Sequence, residues 1–165
     1  MPDNIDQTVL TVVCTGNICR SPMGEVMLRD YLEDQGVTGV TVNSCGMAGY
    51  HVGGSADSRA IAQLASDGHD GSKHVASQFG PEFDDSTAFL AMDQGHASQL
   101  ISEGVDPSTV FLFRAFDPDS WNGAIDSHEA PEVDDPYYGT EEDFTRVARE
   151  VSAALPGIAK HFAPQ

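Results

Sequence analysis

The chain has 165 residues, 40% of them hydrophobic, enough to fill the core of one domain spanning residues 1–165. Its 26 acidic side chains against 8 Lys plus Arg give a formal charge of −18, a field that repels nucleic acid and acidic membrane surfaces. No apolar run reaches the roughly 18 residues that a membrane span needs, and three cysteines, Cys14, Cys19 and Cys45, do not make a disulfide-built secreted scaffold. The segment Met1 to Thr8 lacks the basic start and apolar stretch of a secretory signal, so the expected setting is the cytoplasm and the expected state a monomer. Most of the acids read as a solvated surface; with Lys73 and Lys160 the only lysines, the excess also fits adaptation to a salty cytoplasm.

Val9 to Val13 is short, β-branched and apolar throughout, as expected of a strand covered on both faces. After a glycine-containing turn, Ser21-Pro22 reads as a helix cap followed by proline at the first helical position. Met23, Val26, Met27 and Tyr31 then recur at helical spacing, with Gly36 as a stop. Val40 to Ser44 is the second predicted strand, Ser58 to Asp67 a short helix closed by Gly68, and Ala88 to Met92 a third strand leading into a helix over Gln94 to Glu103. Val110 to Phe113 is the fourth strand. Thr140 can cap a last helix with Phe144, Val147, Val151, Leu155 and Ile158 on one face, which Pro156 is expected to kink or divide. Strands alternating with helices predict a four-stranded, parallel, twisted sheet with helices on both faces, a Rossmann-like three-layer arrangement. Ligands of such folds bind beyond the carboxyl ends of the strands, and the turn between Val13 and Pro22 lies at such an end.

That turn, Cys14-Thr-Gly-Asn-Ile-Cys-Arg20-Ser-Pro22, separates a cysteine from an arginine by five residues between a strand and a helix N-terminus. Unpaired amides and partial positive charge at a helix start suit an oxyanion. Successive amides of the turn add donors, and Gly16 lets backbone approach a ligand closely. Arg20 can hold two phosphate oxygens with its planar fork. The same positive field favours a thiolate at Cys14, a ready nucleophile for phosphorus, and the Ser21 hydroxyl can donate to that sulfur. The turn lacks the Gly-Lys-Ser/Thr of a nucleotide loop. Four residues lie between Cys14 and Cys19, unlike the two of zinc sites, so no metal is expected. Between Arg114 and Arg146 lie ten carboxylates and no Lys or Arg, any of which could donate a proton to a leaving group; Asp117, Asp119, Asp126, Glu129 and Glu132 read as surface acids.

The stretch Val-Cys-Thr-Gly-Asn-Ile-Cys-Arg-Ser-Pro-Met, Val13 to Met23, resembles the signature of the low-molecular-weight protein tyrosine phosphatases. Gly49-Tyr-His-Val-Gly53, Ala91-Met-Asp93 and Asp135-Pro-Tyr-Tyr-Gly139 extend the resemblance, in the family's order, over nearly the whole chain, with actinobacterial members the most alike. It implies hydrolysis of phosphotyrosine proteins and small aryl phosphates through a phosphocysteine, without a cofactor, opposite a tyrosine kinase as the supplier of substrate. Carried over by position, Cys14 is the nucleophile, Arg20 the clamp and Asp135 the general acid. Thr15, Gly16, Asn17, Ile18, Cys19 and Ser21 then complete the phosphate loop. Tyr137 and Tyr138 would wall the pocket with Tyr50 facing them, and Asn17 would hold the loop in shape with Ser44 and His74. The paired tyrosines would be candidates for phosphorylation, and peroxide would form a reversible Cys14–Cys19 disulfide.

The chain departs from the family at three places: Gly24 where alanine is usual, Ser44-Cys-Gly-Met47 in place of Ser-Ala-Gly-Thr, and Ser77 where arginine is common. The second adds Cys45 as another conceivable partner for an oxidised Cys14. The other histidines, His51, His69, His96, His128 and His161, show no ligand spacing and read as surface or structural. Two rival functions share the loop. A thioredoxin-coupled arsenate reductase needs further cysteines, and none lies between Gly46 and Gln165. A phosphate-binding module without turnover would be expected to have lost Cys14, Arg20 or Asp135.

Overall fold

The computed structural model describes residues 7–164; residues 1–6 of the polar start read above lie outside that range. Four strands, β1 (Thr8–Cys14), β2 (Val40–Gly46), β3 (Ala88–Ala91) and β4 (Val110–Leu112), form one parallel sheet in the order β2-β1-β3-β4. Helices α1 (Arg20–Asp34), α2 (Ser58–Ser66), α3 (Gln94–Ser102) and α4 (Glu141–Phe162) connect or follow them. The chain leaves β1 for β2 on one side and returns to β3 on the other. The crevice beyond the carboxyl end of β1 is therefore the place where strand order reverses, which is where such sheets bind ligands.

Strand alternation divides the core between two layers. Leu10, Val12 and Cys14 of β1, Ala88 and Leu90 of β3 and Phe111 of β4 face the layer holding α1, α2 and α4. Val13, Cys45, Phe89, Ala91, Val110 and Leu112 face the other, with Ala97 and Leu100 of α3. Burying a Leu, Val or Phe fully contributes about 1.5–3 kcal/mol, and Val12, Leu28, Leu90, Phe113 and Phe144 are all buried. At Gly24 a β-carbon would stand 2.9 Å from both Val12 and Met92. The glycine standing where the family usually has alanine thus lets α1 lie close on β1.

The structure differs from the expected elements at a few boundaries, each for a local reason. Helix α1 begins at Arg20 with Cys19 as its cap, so Ser21 lies in the first turn rather than before it. Pro22 is tolerated there because amides of the first turn have no partner within the helix. The Ser21 hydroxyl consequently serves the loop, not the helix end. Strand β4 stops at Leu112, and Phe113–Phe116 is a 3₁₀ turn. Helix α4 runs unbroken through Pro156; at the following Gly157 a β-carbon would stand 2.1 Å from the Phe116 carbonyl oxygen. Tight packing against the 3₁₀ turn thus accompanies the proline in place of a break. Thr140 caps α4, and the Asp143 carboxylate accepts from the Thr140 amide at 2.8 Å.

Candidate active site

The loop from Cys14 to Arg20 is held from outside by its carbonyl oxygens. Those of Cys14 and Thr15 accept from the amides of Met47 (3.0 Å) and Ala48 (2.9 Å), and that of Ile18 from the amide of Asp57 (2.8 Å). The Asn17 carbonyl accepts from His74 Nε2 at 2.8 Å. With its oxygens turned outward, the loop keeps its amides for a ligand. Among the described residues, the N–H groups of Thr15 to Arg20 donate to no protein acceptor. Asn17 adopts φ 60°, the left-handed conformation that Asn reaches more easily than most residues. Its side chain holds the bend: Nδ2 donates to the hydroxyls of Ser21 (2.7 Å) and Ser44 (2.9 Å), and Oδ1 accepts from the Ser77 amide (2.8 Å). Ser77 therefore contributes through its backbone. Glu25 extends this group, accepting from Ser44 Oγ and from Arg29, with His74 Nδ1 3.8 Å away.

Cys14 is 3% exposed, its sulfur 2.9 Å from Ser21 Oγ and 3.4 Å from the Ser21 amide. Arg20 is equally buried. Its Nη1 donates to Asp93 Oδ2 (3.1 Å) and the Val133 carbonyl (2.9 Å), while Nη2 lies 3.4 Å from Thr15 Oγ1 and 3.7 Å from Asp135 Oδ2. Burial works against the Asp93 carboxylate, but His96 and the Arg20 guanidinium hold its pKa below the usual range. The neighbouring His96 is drawn the other way. Burial, reinforced by Arg20 and opposed by Asp93, pulls its pKa down to about 4, so the ring is neutral at pH 7. Burial also pushes the Cys19 thiol well above its ordinary range, as it does that of Cys45.

A cleft of about 190 Å³ opens above this floor, lined by the loop, Tyr50, His51, Asp135, Tyr137 and Tyr138. Asp135 Oδ1 accepts from the Tyr137 amide at 3.1 Å, a turn that Pro136 stiffens by fixing its own φ. Tyr137 and Tyr138 meet edge to face at 4.9 Å, and His51 stands between Tyr137 and Tyr50. Arg59 clasps this segment. It pairs with Asp57 and donates to the carbonyls of Tyr137 (3.0 Å) and Gly139 (3.3 Å), with its guanidinium over the Phe144 ring. The Arg59 hydrogen bonds hold the Asp57 carboxyl below its usual pKa.

The fold thus gathers Cys14, Arg20, Asp135 and the three tyrosines around one cleft, with Asn17, Ser44 and His74 behind the loop. Several expectations need correction. His96 is buried against the loop because the turn after β1 passes under the start of α3, and His51, in the segment after β2, lines the cleft over Gly16. Asp117, read as a surface acid, is 4% exposed and accepts from the Asp119 amide and the Ser120 hydroxyl, closing its own turn. Glu132 accepts from the Gln94 amide at the start of α3. Glu25, Asp57 and Arg59 drew no notice in the sequence, and His96 was read only as surface or structural; the Asp-x-Arg spacing before α2 was the one available signal. Among the described residues no cluster of His, Cys, Asp and Glu is arranged to hold a metal ion, and no helix is long and apolar enough to cross a membrane.

Residues 9–165 match the family model described as low molecular weight phosphotyrosine protein phosphatase. The chain is 41% identical over 154 residues to low molecular weight protein-tyrosine phosphatase A of Mycobacterium tuberculosis, spanning 93% of this chain and 90% of that one. Among solved structures it is similar to a protein tyrosine phosphatase from Entamoeba histolytica, with TM-score 0.81 and 27% identity over 93% of this chain and 96% of the other. It is also similar to the YwlE arginine phosphatase, a protein solved from Bacillus subtilis too, in a variant bearing a phosphorylated active-site serine. There the TM-score is 0.80 and the identity 26%, over 93% and 95% of the two chains.

Proposed function

We propose, for a chain that belongs to the low molecular weight phosphotyrosine protein phosphatase family, that it hydrolyses phosphotyrosine with Cys14 as nucleophile, Arg20 as clamp and Asp135 as general acid. The observation that carries the assignment of residues is the loop whose carbonyls are tied outward, leaving six amides around a buried cysteine beside a buried arginine. Such preorganised donors stabilise charge as it builds on equatorial phosphate oxygens.

In the first step the Cys14 thiolate attacks phosphorus and the P–O bond to the phenol breaks. Asp135, held over the floor at 3.7 Å from Arg20, gives its proton to the departing phenolate. In the second step Asp135 takes a proton from water, whose oxygen attacks the phosphocysteine. The P–S bond breaks, inorganic phosphate leaves and the thiolate returns. Ser21, at 2.9 Å from the sulfur, stabilises that thiolate as leaving group. Tyr137, Tyr138 and His51 offer flat faces to an aryl ester, and Arg20 is the one Lys or Arg among the residues lining the cleft.

The substrate is read as a phosphotyrosine protein or a small aryl phosphate, with a tyrosine kinase as the enzyme class that must supply it. The cytoplasm is read as the setting, in keeping with three free thiols, one of which must stay reduced to act. An arsenate reductase reading lacks its relay, since Cys45 faces the sheet layer opposite Cys14. The test is turnover of phosphotyrosine, phosphoserine, phosphoarginine and arsenate by the wild type and Cys14→Ser. Hydrolysis of phosphotyrosine above the others, abolished in Cys14→Ser while phosphate binding persists, is the expected result. Faster cleavage of phosphoarginine, or reduction of arsenate, would overturn it.

A further inference from the structure

His96 sits in the first turn of α3, 3% exposed, outside the group of residues assigned to the reaction. Its Nε2 is 2.8 Å from Thr15 Oγ1, the side chain next to the nucleophile. Its backbone amide donates to Asp93 Oδ1 at 3.0 Å. Its Nδ1 lies 3.1 Å from the same oxygen, off the line of a hydrogen bond, and has no other partner. A ring nitrogen facing a carboxylate is better placed bearing a proton than a lone pair, since the lone pair would be repelled. That puts the proton of the neutral ring on Nδ1 and leaves Nε2 as an acceptor. The Thr15 hydroxyl then donates to His96, and its oxygen lone pairs turn towards Arg20 Nη2, 3.4 Å away. Arg20 Nη1 closes the circuit on Asp93 Oδ2 at 3.1 Å.

We infer that His96 is a positioning residue for the phosphate site: by fixing the Thr15 hydroxyl and standing against Asp93, it sets the orientation of Arg20 before an oxyanion arrives. The inference rests on the phosphatase reading above and adds a residue to it. An imidazole that merely filled space would be served as well by a buried apolar side chain, which would also avoid the orphaned Nδ1. Buried polar atoms without partners are few in folded proteins and cost stability. The presence of the ring here points to the circuit it completes.

The experiment compares wild type, His96→Leu, His96→Gln, Thr15→Val and the double variant His96→Leu/Thr15→Val. The readouts are kcat and KM for p-nitrophenyl phosphate, the inhibition constant of inorganic phosphate, and the melting temperature. His96→Leu and Thr15→Val should each weaken phosphate inhibition and kcat/KM about tenfold, the double variant should be no worse than either, and His96→Gln, which offers Thr15 an acceptor, should recover most of the loss. If His96→Leu does not fold, Thr15→Val and His96→Gln carry the comparison. A change in melting temperature with phosphate inhibition and kcat/KM within twofold of wild type would overturn the inference, as would losses that multiply in the double variant. Should wild type itself turn over neither p-nitrophenyl phosphate nor phosphotyrosine, the phosphatase reading would fall with it; active wild type beside unaffected variants sinks the role of His96 alone.

Discussion

Gly46 lies directly beneath Thr15: a β-carbon there would stand 2.6 Å from the Thr15 carbonyl oxygen and 2.9 Å from the Asn17 amide nitrogen. All of these neighbours are backbone of the phosphate loop, which cannot yield by a rotamer change. Gly46→Ala is expected to lift the loop and lower kcat/KM on the order of 100-fold, the usual cost of misplacing reacting groups by about 1 Å. Circular dichroism and a melting curve should show the fold intact. Unchanged kcat/KM would mean that the loop is not held where its amides suggest.

Asp135→Asn removes the transferable proton while keeping the side chain's size. It should slow cleavage of phenyl phosphate by about 100- to 10,000-fold. An ester whose leaving group needs no proton should be affected far less. Equal slowing of both esters would take Asp135 out of the acid role.

Arg59 ties the Asp135 segment to α2 through the Tyr137 and Gly139 carbonyls. Arg59→Met keeps packing against Phe144 but drops those bonds. Amide exchange at residues 137–139 should quicken, and kcat on phenyl phosphate should fall about tenfold, a loss equivalent to about 1.4 kcal/mol. Exchange and kcat both at wild-type values would show that the clasp does not hold the acid.

A buried neutral His96 links stability to pH. Its folded pKa of about 4 lies below the ordinary value near ~6.5, so the unfolded chain binds the extra proton and stability rises with pH across that window. The contribution is complete above about pH 6.5 and is lost as pH falls towards 4, on the order of 3 kcal/mol in total. Urea titrations of wild type and His96→Gln at several pH values isolate it from the other acids. A wild-type slope retained in His96→Gln would show that another group carries the dependence.

The four strands were legible because buried parallel strands are short, apolar and β-branched, and the loop because its residues are contiguous. What was left without a role is contributed by chain that is distant in sequence. Asp93 and His96 reach the loop because β3 pairs with β1, and Glu25 meets Ser44 because α1 packs beside β2. No periodicity in the chain encodes that registration. Gly46 was visible only as part of a departure from a family pattern, although the space it leaves is what the loop occupies. Asp117 was misjudged because a carboxylate that closes its own turn can be buried without a cation.

Register also separates the thiols. Cys45 pairs with Val13 in the sheet and shares its layer, whereas Cys14 and Cys19 lie in the other. Peroxide treatment should give a Cys14–Cys19 disulfide: the Cys14 thiolate is oxidised to the sulfenic acid, and Cys19 displaces water from it. Peptide mapping by mass spectrometry should find that pair in wild type and neither it nor a Cys14–Cys45 pair in Cys19→Ser. A Cys45 cross-link would contradict the layering.

Buried at 0% exposure on β2, in the layer that α3 covers, Cys45 gives the molecule a second clock. An alkylating reagent meets Cys14 at the floor of an open cleft, on the timescale of a ligand coming and going. The same reagent meets Cys45 only when the core layer over that face of the sheet opens. The ratio of the two labelling rates therefore reports, in one sample, how far occupancy of the cleft slows the breathing of the scaffold behind it.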